Sequence, residues 1–157
     1  MARKTTISLF LEAIKEDSSA LMFMADVVRE DRRFVLAAVE RNGRAIQYAS
    51  EKLHGDPAII KMALKSHGLA LKYASQEMRR DQKIVLAAVR EFGLALKYAS
   101  EELRGDHKFV LTAVQQNGYA LKYATDESRN DREIVLKAVQ NRGDALQYAT
   151  EELRGDR

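Results

Sequence analysis

Asp31, Asp56, Asp81, Asp106, Asp131 and Asp156 stand 25 residues apart, and around each the chain repeats nearly the same phrase. It is clearest in DQKIVLAAVREFGLALKYASEELRG, from Asp81 to Gly105. Self-similarity at a fixed period of 20 to 50 residues is the mark of stacked-repeat architecture, so the period constrains the fold before any single residue does. Counting each Asp as position 1, five units run 31–55, 56–80, 81–105, 106–130 and 131–155, preceded by a worn unit at 6–30. There Leu9, Phe10, Leu11, Ala13 and Ile14 match Phe34, Val35, Leu36, Ala38 and Val39, while Thr6 replaces the Asp and Ser18 a glycine. Such a unit is expected to be a terminal cap.

Within each unit the apolar residues at positions 4, 5, 8 and 9, such as Ile84, Val85, Ala88 and Val89, recur at helical spacing and define a helix A. The Asp is its expected N-cap, joined by Pro57 at the first helical position of one unit. Gly43, Gly68, Gly93, Gly118 and Gly143 are its expected stop, through the left-handed conformation that glycine adopts without a Cβ clash. A second, shorter apolar stripe follows in x-Ala-Leu-x-Tyr-Ala and defines helix B. Ser50, Ser75, Ser100, Thr125 and Thr150, each followed by an acid or Gln76, suggest that helix B stops there and that a separate turn such as 101–104 follows. One continuous helix to position 24 is the alternative. Gly55, Gly105, Gly155 and Asn130 close the unit, with Arg80 as the exception.

Two short helices cannot bury their apolar faces alone, so neighbouring units must share a core. The expected fold is all-α, an α-solenoid of six stacked helical hairpins forming a single repeat domain over residues 1–157. Composition agrees: 46% hydrophobic and 31% charged residues suit a soluble globular chain. No segment resembles a signal peptide or spanning helix, and the chain has no cysteine, which points to the cytoplasm and removes disulfides and thiolate chemistry.

The phrases LKYASEELRGD at 96–106 and LKYATDESRND at 121–131 resemble the repeats of domain-of-unknown-function family 4116. The resemblance is close over 31–157 and loose over 6–30, where Ser18, Ser19, Met24 and Asp26 depart from the pattern. It implies a helical interaction repeat and carries no activity, cofactor or functional residue with it.

Enzymes assemble unlike groups once in a pocket, whereas this chain sets like groups in rows, so no catalytic residue and no cofactor is expected. His54, His67 and His107 fall at unrelated positions, without the spacing of a metal site. Glu101, Glu102, Glu127, Glu151 and Glu152 read as first-turn helix acids. Tyr48, Tyr73, Tyr98, Tyr123 and Tyr148, continued by Phe23, form a ladder whose rings are expected to pack between units. Arg29, Arg79, Arg104, Arg129 and Arg154 are expected to pair with the Glu two residues before or the Asp two after. Lys72, Lys97 and Lys122 share position 17 and are the candidate anion-binding row.

Positions that vary over a constant frame are those that packing leaves free. Positions 12 and 14 vary most, and Leu69, Phe92, Leu94 and Tyr119, with Arg44 and His67, form the candidate protein-binding surface. The function expected is a non-catalytic scaffold for protein–protein interaction. The alternatives are binding of nucleic acid or an anionic surface through the lysines, and a structural spacer or assembly segment. With 26 basic against 23 acidic side chains interspersed, composition argues against nucleic acid, although residues 56–80 hold five bases and two acids while 6–30 hold five acids and two bases. The closing EELRGDR supplies the Asp that would open a further unit, and suggests a fragment, a designed array, or self-association through an uncapped end.

Ala88 and Ala113 belong to a position-8 ladder where neighbouring helices approach closely. Replacing either with Leu is expected to cost about 1–3 kcal/mol in chemical denaturation, through overpacking.

Overall fold

The computed structural model describes residues 2–155, with side chains from Thr6 onward; Asp156, last of the aspartate series, lies outside the described residues. Helices and connecting turns make up the fold, with no strand among the described residues. The chain divides into two compact halves, Met1–Ser75 and Gln76–Arg157.

Each repeat is a helix A, a six-residue 3-10 helix and a one-turn α-helix. In the N-terminal half the A helices are Ala2–Glu16, Arg32–Arg41 and Pro57–Leu64, and the 3-10 helices are Ser18–Phe23, Gly43–Tyr48 and Gly68–Tyr73. In the C-terminal half they are Gln82–Glu91, His107–Gln116 and Arg132–Asn141, with Gly93–Tyr98, Gly118–Tyr123 and Gly143–Tyr148. Within each half, successive A helices pack on one another and successive 3-10 helices do likewise. All-α stacking of 25-residue repeats therefore holds inside both halves.

The aspartates act as expected. Asp31, Asp56, Asp81, Asp106 and Asp131 each accept from the N–H groups two and three residues on, at 2.8 to 3.2 Å. Thr6 is different: the first A helix begins before it and runs through it.

The glycines do not act as expected. No residue, glycine included, has positive φ among those described, so the left-handed stop does not occur. Helix A ends instead at position 12, where Asn42, Phe92, Asn117 and Arg142 are extended, with φ between −140° and −152°. The glycine opens the 3-10 helix, and its requirement is contact. A Cβ on Gly93 would lie 2.4 Å from the Ala113 carbonyl oxygen, one on Gly118 2.4 Å from that of Ala138, and one on Gly43 2.6 Å from that of Ala63. In each case the carbonyl belongs to position 8 of the next repeat, so only hydrogen fits between the two backbones.

Helix B is the 3-10 helix, and it stops before the Ser/Thr position, which excludes one continuous helix. The hydroxyl is a side-chain cap only at Ser100, which accepts from Leu103 N–H at 3.4 Å; Ser50 and Thr125 make no such bond. The position matters through its backbone. Ser50 N–H donates to the Arg29 carbonyl, Ser100 to Arg79, Thr125 to Arg104 and Thr150 to Arg129, at 2.9 to 3.2 Å, tying each repeat to the one before. The core lies between the helix rows, where Ile46, Leu96 and Leu121 are fully buried and each contributes about 1.5–3 kcal/mol.

The first repeat carries exposed apolar side chains. Leu9 is 68% exposed, Phe23 79% and Val27 75%.

Gly93→Ala and Gly118→Ala should each destabilise the chain by roughly 1–3 kcal/mol in urea unfolding, because neither carbonyl can retreat without disturbing its helix. Gly55, whose Cβ would meet nothing within 4 Å, should accept alanine with a change of no more than about 0.5 kcal/mol.

Candidate functional site

A 3-10 helix has three residues per turn, so side chains at i and i+3 eclipse one another. This sorts each short helix into three rails. Positions 13 and 16, Gly93 and Leu96 for example, turn toward the next repeat and are buried. Positions 15 and 18 carry a buried alanine and a half-buried tyrosine. Positions 14 and 17 form the outer rail. Within each 3-10 helix the candidate at position 14 and the lysine at position 17 are therefore neighbours, Leu69 with Lys72 in the N-terminal half, and Leu94 with Lys97 and Tyr119 with Lys122 in the C-terminal half.

In the N-terminal half Leu69 is 36% exposed, Arg44 and Lys72 are exposed, and His67 is half-buried. Burial, and then the nearby Arg44 charge, hold the His67 imidazole below its ordinary pKa. The Lys72 ammonium lies 5.5 Å from the centre of the Tyr73 ring. In the C-terminal half Phe92 is 38% exposed and Leu94 is half-buried. Lys97 lies over the Tyr98 and Tyr123 rings at 5.5 and 5.7 Å, and Lys122 lies 5.8 Å from Tyr148. Each tyrosine face thus carries an ammonium attracted to its ring quadrupole, which closes that face to stacking by another ring.

Tyr119 is held by the following repeat. Its hydroxyl donates to the Asp144 carboxylate at 2.5 Å, the Arg142 guanidinium lies over its ring at 5.2 Å, and it meets Tyr148 edge-on at 6.2 Å. The hydrogen bond to Asp144 raises its pKa above the ordinary value of 10.0. Of the apolar candidates, Leu69 and Phe92 are the ones the fold leaves exposed.

Position 12, singled out for its variability, is partly structural. Asn42 and Asn117 accept from Arg44 and Tyr119 N–H at 3.1 and 3.0 Å, capping the 3-10 helices, and Asp17 caps the first in the same way through Ser19 at 2.8 Å. An Asn or Asp directly before the short stripe was the signal for this cap, and at Phe92 and His67 the cap is absent.

The arginine row pairs, but with other partners than expected. Arg29 and Arg129 bind Asp26 and Asp126 three residues before, Arg154 faces Glu151 at 3.8 Å, and Arg104 donates to the Tyr123 carbonyl at 3.4 Å. A spacing of three puts the acid on the same face of the one-turn helix, and a spacing of two does not. The cap Asp56 is instead bound by Arg32 of the preceding repeat at 2.5 Å. His107 lies 3.7 Å from Asp131 and 3.5 Å from Glu133. No group of three or more His, Cys, Asp or Glu is placed to hold a metal among the described residues. Among them, no helix is long and apolar enough to cross a membrane.

A chain assembled from tandem copies of one helical unit, with its side-chain chemistry set in rows, is a helical-repeat protein. The family model described as Domain of unknown function (DUF4116) matches residues 7–54, 31–79, 56–104, 81–127 and 106–154, and the chain belongs to that family. Neither curated proteins nor solved structures yielded a match.

The Arg32 hydrogen bond, opposed by partial burial and aided by two backbone N–H groups, holds the Asp56 carboxyl below its ordinary pKa of 3.8. A depressed folded value means that the stabilisation is complete above 3.8 and is lost as pH falls through the folded value. Arg32→Ala should therefore flatten the acid limb of a stability-versus-pH curve measured by urea unfolding. An unchanged limb would show that the pair does not couple to folding.

Proposed function

We propose that this chain is a non-catalytic scaffold that binds another protein through the outer rail of its 3-10 helices. The observation that carries this reading is the rail itself. A constant backbone presents position 14 beside position 17, and in the middle repeats these are apolar or aromatic beside cationic. The repeat interior is consumed by stacking, whereas Leu69 and the three lysines remain exposed on the rail, with Phe92 exposed at position 12, two residues before it. Large apolar side chains set beside cations suit a partner that offers both apolar and acidic groups. The setting of like groups in rows, rather than unlike groups in one pocket, supports the absence of catalysis.

Crosslinking mass spectrometry in a native extract, anchored on Lys97 and Lys122, tests this. A Leu69→Glu, Leu94→Glu variant that folds as the parent does should lose the crosslinked partner. Retention of every partner would overturn the rail as the binding surface.

The lysine row favours a second reading, binding of a polyanion, because Lys97 and Lys122 rest on tyrosine rings and stay exposed. Binding to a phosphate polymer should then weaken steeply with salt, by roughly one logarithmic unit of affinity per logarithmic unit of salt for each phosphate contacted. Affinity unchanged between low and moderate salt would remove this reading.

A further inference from the structure

We propose that Asn42 and Asn117 are deamidation sites whose reaction is gated by the opening of the repeat junctions they border. The inference is independent of what the outer rail binds. Of the four asparagines these two precede a glycine, whereas Asn130 precedes Asp131 and Asn141 precedes Arg142. In deamidation the main-chain nitrogen of the following residue gives its proton to solvent base and attacks the asparagine Cγ. The N–Cγ bond forms, the Cγ–Nδ2 bond breaks, and the amide takes a proton from water and leaves as ammonia. Water then opens the resulting five-membered succinimide at one of its two carbonyls. The product is aspartate, or isoaspartate, in which the chain runs through Cβ and Cγ. A glycine nitrogen has no Cβ beside it to crowd the attack. The fold builds this reactive pair itself, because in these repeats the 3-10 helix takes a side-chain cap at position 12 and the position-8 carbonyl demands glycine at position 13.

The closed junctions hold both pairs out of reaction. Ring closure must bring Cβ and the glycine nitrogen to the same side of the Cα–C bond, and at ψ of 106° for Asn42 and 112° for Asn117 the two are turned far apart. The side chains are tied as well. Oδ1 of Asn42 accepts from Arg44 N–H at 3.1 Å and its Nδ2 donates to the Ile14 carbonyl at 3.3 Å, while Oδ1 of Asn117 accepts from Tyr119 N–H at 3.0 Å. The attacking nitrogens are tied across the junction. Gly43 donates its N–H to Ser66 Oγ at 3.2 Å, and Gly118 donates to Asn141 Oδ1 at 2.8 Å, the Asn141 amide also donating to the Gln115 carbonyl at 2.9 Å. Rotating ψ toward closure swings the glycine away from the carbonyl of Ala63 or Ala138, so the ring forms only when the junction opens.

The product decides whether the junction closes again. Aspartate keeps the cap, as Asp17 does for the first 3-10 helix through Ser19 N–H at 2.8 Å. Isoaspartate lengthens the main chain by one carbon directly before the glycine. At Gly43 and Gly118 a Cβ would already lie 2.6 and 2.4 Å from the facing carbonyl oxygen, so the contact has no room for such a shift. Reaction during an opening thus turns a reversible event into a lasting one. His67, Phe92 and Arg142, which hold position 12 in the other repeats, carry no such chemistry.

Peptide mapping by mass spectrometry of the full chain, incubated at mildly alkaline pH with and without urea, tests the proposal. Both sites should convert in urea, and in the native chain both should be slower by about tenfold or more, the factor that an opening free energy of about 1.4 kcal/mol imposes. Ser66→Ala should speed native conversion at Asn42 about fivefold, the effect of losing one ordinary hydrogen bond, and leave Asn117 unchanged. Asn141→Ala should speed Asn117 and leave Asn42 unchanged. Neither variant should alter the rates in urea. Absence of conversion in urea, equal rates in the native and unfolded chain, or variants that leave the native rates unchanged or speed both sites alike would each overturn the proposal.

Discussion

Everything in the repeat depends on one close approach, the carbonyl of a position-8 alanine pressed against the Cα of a position-13 glycine in the repeat before it. At 2.4 to 2.6 Å from where a Cβ would stand, that oxygen allows no side chain. The distance between successive helical layers is set there, by backbone against backbone, and the other contacts are arranged around it. The alanine is small so that its helix can come near, and the leucine at position 16, one 3-10 turn beyond the glycine, fills the space that remains.

The tight winding of the second helix then places the rest. Three residues per turn give it three separate rails, of which one is spent on the next repeat, one on the interior and one faces water. The lysines and the variable position 14 share the outer rail because they are three residues apart. The tyrosines lie beside it, half-buried, and Tyr73, Tyr98, Tyr123 and Tyr148 each have a lysine ammonium within 6 Å of the ring centre. A surface built this way varies from repeat to repeat without disturbing the packing beneath.

Polar contacts between repeats follow the same period. Ser or Thr at position 20 gives its N–H to the carbonyl at position 24 of the preceding repeat, and Arg32 reaches the cap aspartate of the repeat that follows it. The exposed ion pairs contribute little by themselves. Their place is at the rim of the layers, where they accompany a register already fixed by the glycine contact and the buried leucines.

The sequence by itself determined the repeat length, the aspartate caps and the apolar positions of helix A, because these are local consequences of periodicity and of backbone groups that need partners; the break before the Ser/Thr position it left open against one continuous helix. It also singled out Leu69 and Phe92 by their variation and the lysines by their shared position. Only the tertiary structure decided why position 13 is glycine. The residue has an ordinary negative φ, and its constraint comes from an oxygen twenty residues away, which no local rule can read. Likewise, the arginine partners and the capture of Tyr119 by Asp144 depend on which groups the packing brings together, and that is a property of the folded chain.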